Sequence, residues 1–202
     1  ASDVYKRQLM VRASRKGILN ANPSKRPFVL TRSNFLGGHR YAATWTGDNN
    51  SSMKHLKLSI PMTLNLGLSG QPFNGPDIGG FAGNATPDLY AHWIALGAFY
   101  PFSRVHSTKG SICQEPWALG KEVEQVSREA LQRRYRLLPY LYTSFWESSR
   151  TGMPVMRPIF LSYPKEKHLR KEQENFMLGN DLIIVPKWSE NGELPPGNWR
   201  DI

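Results

Sequence analysis

Through its first 157 residues the chain alternates strand-like runs, loops and helical patterns, and that alternation limits the fold more than any other feature. Residues 27–32, 42–45, 71–74 and 99–105 are the strand candidates, and the first is apolar enough to be buried on both faces. Helical spacing separates them. Leu9, Met10, Ala13 and Ile18 predict a short helix over 9–19. A second runs from a Ser51 or Ser52 cap to a stop at Gly67 and Gly70, with Leu56, Ile60 and Leu64 on one face. Thr86-Pro87-Asp88 starts a third, because a capping Thr and a first-turn Pro satisfy helix-start geometry. The longest helical pattern covers about 120–150, with Val123, Val126, Ala130, Leu131, Leu138, Leu141, Tyr142 and Phe145 as its stripe. Pro139 inside it is expected to kink or divide it.

Repeated strand–helix–strand units predict an α/β fold with parallel strands. After Gly152-Met153-Pro154 the texture changes to strand candidates at 155–161, 177–178 and 182–185, without a long helix. A domain boundary is therefore placed near Arg157 or Pro158.

Arg32, Asp48, Asp77 and His106 each follow a strand candidate or lie in the loop after it. A (β/α)8 barrel builds its active site from that strand-end face, and a doubly wound sheet gives the same pattern. Asp48 follows Trp45-Thr46-Gly47, and a carboxylate beside an aromatic wall can act as a general acid. A helix-capping Asp in an ordinary loop is the other reading, and the pattern alone leans to it. Asp77 lies in Gly75-Pro76-Asp77-Ile78-Gly79-Gly80-Phe81, a glycine-rich loop in which backbone can approach a ligand, or in which Asp77 simply closes a turn. Arg104 and His106 are two apart on one strand, so they point the same way. Tyr41, Trp93 and Trp117 are expected in the core, whereas Trp45 and Phe81 stand beside candidate carboxylates and suit a sugar face.

Composition closes off other classes. The net charge of +10 is scattered among acids and helix faces, with no Arg-Gly-aromatic or Cys/His nucleic-acid module, so no nucleic-acid partner is expected. The single cysteine, Cys113, excludes an internal disulfide, and no His/Cys ligand spacing predicts a metal or other cofactor. No apolar run approaches the ~18 residues of a membrane span. Residues 1–8 are short, polar and patternless and are read as a possible non-native scar, and the absence of a starting methionine reads as a cut end.

Several segments taken in order resemble glycoside hydrolase family 31, which contains α-glucosidases. They are Arg26-Pro27-Phe28-Val29-Leu30-Thr31-Arg32-Ser33, Arg40-Tyr41-Ala42-Ala43-Thr44-Trp45-Thr46-Gly47-Asp48-Asn49 and the Gly75–Phe81 run. Leu96-Gly97-Ala98-Phe99-Tyr100-Pro101-Phe102 with Arg104 and His106 follows, then Glu115-Pro116-Trp117, Arg134-Tyr135 with Leu137-Leu138-Pro139-Tyr140, and Pro158-Ile159-Phe160. The resemblance implies the C-terminal half of a (β/α)8 TIM barrel over 9–157, followed by the start of an all-β sandwich domain over 158–202. It implies Asp48 as general acid/base, with Arg32, Trp45, Phe81 and His106 lining the sugar subsite and Asp77 and Arg104 supporting it. The implied reaction is retaining hydrolysis of α-linked glucosides, with Asp48 in a partly desolvated pocket.

The family's nucleophilic Asp belongs to an earlier strand and has no counterpart here, so the chain is expected to be inactive alone. Met53-Lys54 departs from the family's usual aromatic and acid, which bears on linkage preference. An α-xylosidase, an N-glycan-processing glucosidase and a non-catalytic carbohydrate-binding relative are the alternatives.

Overall fold

The computed structural model describes residues 2–189 and 192–201. Helix α1 (Ser2–Ala21) leads into strand β1 (Leu30–Thr31), followed by β2 (Ala43–Trp45), helix α2 (Met53–Leu68), β3 (Asn74–Gly75) and β4 (Asp77–Ile78). Helix α3 (Pro87–Gly97), β5 (Arg104–Val105) and helix α4 (Lys121–Thr151) complete the alternating part. Then come β6 (Met156–Pro158), the single turn α5 (Ile159–Ser162), β7 (Phe176–Leu178) and β8 (Leu182–Ile184).

The strands of the alternating part are parallel, as the βαβ pattern predicts: β1 pairs with β2, β2 with β3, and β4 with β5. β3 and β4 are halves of one extended segment. Pro76 between them has no N–H to donate to a ladder, and the segment turns from β2 on one side to β5 on the other. It approaches β5 so closely that a side chain at Gly75 would collide with the Phe102 carbonyl, while the Phe102 amide donates to Asn74 O (3.0 Å). The chain is thus an α/β fold, with a separate antiparallel sheet ordered β6-β7-β8.

Capping explains the helix starts. Ser52 accepts from the His55 amide and Thr86 from the Leu89 amide, each satisfying an orphan N–H. Leu56, Ile60 and Leu64 recur every four residues on α2 and are buried with Leu89, Tyr90, Trp93 and Ile94 of α3, Ile78 of β4, Ala130 of α4 and Met156 and Phe176 of the antiparallel sheet. One core thus joins the helices of the parallel strands to the antiparallel sheet.

Two ties near the middle of helix α4 matter most for what it joins. The Arg134 guanidinium donates to the carbonyls of Ala98 (2.9 Å), Tyr100 (2.7 Å) and Pro101 (3.1 Å). Six residues on, the Tyr140 hydroxyl donates to Leu178 O (2.9 Å) and accepts from the Asp181 amide (3.0 Å).

Several expectations change. α1 begins at Ser2 rather than Leu9, since no Gly or Pro interrupts residues 2–16, and Val11 is its buried side chain. Residues 27–32 shorten to a two-residue strand that is half-buried, with Phe28 exposed. The strand candidates at 71–74 and 99–105 shift to their C-terminal ends. Pro139 does not divide α4. The apolar stripe of α4 splits: Val123, Ala130 and Leu141 are buried, whereas Leu131, Leu138 and Tyr142 are exposed. Residues 155–161 stop being strand at Pro158 and close into the turn α5. No helix among the described residues is long and apolar enough to cross a membrane.

Candidate active site

Parallel strands deliver their C-terminal ends to one face, and the candidate residues sit there. Arg32 follows β1, Trp45 ends β2 with Asp48 just beyond, Asp77 opens β4 with Phe81 three residues after its end, and Arg104 and His106 flank Val105 on β5. All seven occupy one neighbourhood and divide into two linked groups.

In the first, Arg32 Nη1 donates to Asp48 Oδ2 at 3.1 Å. Gly47, with φ of +93°, makes the turn that aims Asp48 at Arg32, and its α-carbon packs against the guanidinium so closely that a side chain would press on Arg32. The two side chains are 57% and 40% exposed, so the Asp48 carboxyl is partly covered and partly open among the described residues. The Trp45 ring lies under the Arg104 guanidinium, 5.2 Å from centroid to Cζ.

In the second group, Asp77 and Arg104 are register partners of β4 and β5, so their side chains emerge together. Arg104 Nε donates to Asp77 Oδ1 at 3.2 Å and its Nη2 donates to the same oxygen. Asp77 is fully buried, which corrects the reading of a turn residue in a loop: it is a strand residue beneath the site. Its burial raises the carboxyl above its ordinary range, opposed by the Arg104 hydrogen bond and charge and by His106, and reinforced by the Asp48 charge. The Phe81 ring lies against His106, with centroids 5.4 Å apart. Trp93 is in the core as expected, whereas Trp117 is 68% exposed in the loop before α4.

Sequence reasoning passed over the residues that bind these groups to each other. Asn49 and Ser51 tie the loop after β2 to the turn after β4. The buried Gln114 amide donates to Gly80 O at 3.2 Å from the far side. Their signal was adjacency to Asp48 for two of them and none for Gln114. No three His, Cys, Asp or Glu side chains among the described residues are grouped to hold a metal ion. The arrangement offers an accessible carboxylate, a fixed cation beside it, and a wall of Trp45, Phe81 and His106. That set is suited to proton transfer beside a polyhydroxylated ligand.

Comparison with known proteins points the same way. Residues 3–144 match the model of the glycosyl hydrolases family 31 TIM-barrel domain, and 152–202 match the family's C-terminal domain. "Alpha-glucosidase 2" of Bacillus thermoamyloliquefaciens is 44% identical over 198 residues, covering 96% of this chain and 25% of the relative. The "Probable glucan 1,3-alpha-glucosidase" of Oryza sativa subsp. japonica is 50% identical over 179 residues, 88% of this chain and 20% of that protein. Among solved structures, the family 31 alpha-glucosidase from Bacteroides thetaiotaomicron superposes with a TM-score of 0.90 at 60% identity, over 95% of this chain and 33% of that one. The glucosidase II alpha subunit in its Glc1Man2-bound form gives 0.85 at 38%, over 90% and 20%. The chain thus spans a fifth to a third of the length of these relatives.

Proposed function

The chain belongs to glycosyl hydrolase family 31, and on that premise we propose that it is the part of a retaining α-glucosidase that carries the general acid/base. Residues 9–157 are then the C-terminal half of a (β/α)8 barrel and 158–202 the start of a β-sandwich domain. The observation that carries the reading is the convergence of Asp48, Arg32, Trp45, Asp77, Phe81, Arg104 and His106 at one end of the parallel strands.

In this reading Asp48 protonates the leaving glycosidic oxygen and afterwards takes the proton of the attacking water. The nucleophilic carboxylate comes from an earlier strand outside these residues, about 5–5.5 Å from Asp48. Arg32 holds the Asp48 carboxylate and, with His106, offers donors to sugar hydroxyls. Trp45 and Phe81 present apolar faces to the C–H side of the ring. Asp77 and Arg104 lie beneath and fix Trp45. The substrate is an α-linked glucoside or glucan. The relatives' names span glucan 1,3-alpha-glucosidases and the glucosidase II alpha subunit, which favours a glucosyl unit at the cleaved end over xylosyl.

The test uses the complete protein that contains this chain. Its hydrolysis of α-linked glucose disaccharides is measured beside that of α-xylosides. Release of α-glucose, the retained anomer, by NMR supports the proposal. Release of β-glucose, or sugar binding without turnover, overturns it.

A further inference from the structure

Asp48 itself is held by little: among the described residues its one side-chain partner is Arg32, in a pair open to solvent, and exposed pairs of that kind are weak restraints. The next residue is held by three groups, with the Phe81 amide shared between its side-chain and main-chain oxygens. Asn49 Nδ2 donates to Asp77 O at 2.9 Å, and Asn49 Oδ1 accepts from the Phe81 amide at 2.9 Å. Its main-chain carbonyl accepts from the amides of Phe81 and Ala82, both at 2.9 Å. One side-chain amide therefore closes both ends of the five-residue turn from Asp77 to Phe81. Ser51 holds the middle and the exit of the same turn, its hydroxyl donating to Gly79 O and its amide to Ala82 O, each at 2.8 Å. Gly79 and Gly80 have φ of +86° and +90°, and a side chain at Gly80 would collide with the Ser51 backbone, so the turn is pressed directly onto residues 49–51.

What that turn carries gives the contact its meaning. Asp77 at its start is paired with Arg104, which covers Trp45, and Phe81 at its end packs on His106. The Phe81 carbonyl also accepts from the Thr108 amide at 2.8 Å, extending the connection into the loop after β5. The backbone of Asp48 cannot shift without moving the residues that form the wall of the pocket.

We infer that Asn49 is a positioning residue that sets the acid/base carboxylate in register with the sugar-facing wall; this rests on the reading of Asp48 given above. The task requires a carboxamide. Asn49 donates at one end and accepts at the other, and an ionised Asp could only accept.

The test compares two substrates in the complete protein. One is the glucose disaccharide the protein cleaves fastest, whose leaving oxygen needs a proton. The other is α-glucosyl fluoride, whose fluoride departs without a proton from a carboxylic acid. Misplacing the acid is expected to lower kcat/KM for the disaccharide by about 100-fold in Asn49→Ala, and to change that for the fluoride little. A variant that only destabilises the protein lowers both rates by one factor, because the ratio does not depend on how much enzyme is folded. Asn49→Ser, too short to span Asp77 O and the Phe81 amide, is expected to give the same split and covers poor yield of the Ala variant. Asp48→Asn is run beside them. If Asp48→Asn splits the substrates and neither Asn49 variant does, the inference about Asn49 falls alone. If Asp48→Asn shows no split, the reading of Asp48 falls and takes this inference with it.

Discussion

Asp48 meets Arg32 with 40% and 57% of the side chains exposed, while Asp77 meets Arg104 with 0% and 25% exposed. The two pairs have the same chemistry and lie on neighbouring strands of one face, and they are built for opposite ends. Asp48 stands after a glycine turn and, among the described residues, pairs with Arg32 in the open, which is the access that the proposed proton transfer to a ligand requires. Asp77 is sealed in register with its arginine, and the cation's other face is spent on Trp45. Removing water strengthens an ion pair and also makes its loss costly. On the proposed reading the buried pair is expected to hold the site's shape and the open one to react.

The contrast can be broken by exchanging the consequences. The largest effect is expected from Asp48→Asn in the complete protein: kcat lowered by about 10²–10⁴-fold with Tm unchanged, read by steady-state kinetics and a thermal melt. A fall in Tm would mean that Asp48 carries structure as well. Arg104→Met comes next. It strands the Asp77 carboxylate without a partner, and urea unfolding is expected to show a loss of about 3 kcal/mol; a loss no greater than that of Arg32→Ala would erase the distinction.

Asp77→Asn sharpens the comparison through pH. Burial raises Asp77, so the folded protein keeps a proton that the unfolded chain has released. Stability from this group consequently falls as pH rises from the ordinary carboxylate pKa through the raised one. Melts across that window should flatten in Asp77→Asn, and an unaltered slope would remove Asp77 as its source. The smallest effect is Arg32→Ala, expected to change stability by about 0.5 kcal/mol or less in the same urea titration.

The helices were the legible part. Ser52 and Thr86 cap where their side chains reach an amide three residues on, and Leu56, Ile60 and Leu64 repeat at helical spacing. Strands of two or three residues carry too little pattern to be bounded, which is why 71–74 and 99–105 were displaced. The site's membership followed from position after a strand, aided by resemblance. Its burial did not: Asp77 is adjacent to glycines that read as a loop, and only pairing across β4 and β5 places it underneath. Trp45 shows a second contact that sequence order hides: its ring lies against the Arg104 guanidinium of a strand two removed in the fold. Asn49 and Gln114 act through backbone carbonyls from other loops, and such contacts leave no spacing rule in the chain.

Helix α4 has a mechanical consequence. Its 31 residues run unbroken from Lys121 to Thr151, clasped near the middle by Arg134 to the parallel layer and by Tyr140 to the antiparallel one. A beam fastened to two bodies makes them yield together. Loosening the β6–β8 hairpins should be felt at Tyr100 and onward to the β5 end of the site, and a protease that nicks near Gly152 would not release two self-sufficient pieces. The strand-end face and the antiparallel sheet are expected to share one unfolding event, seen as a single transition by probes placed in each.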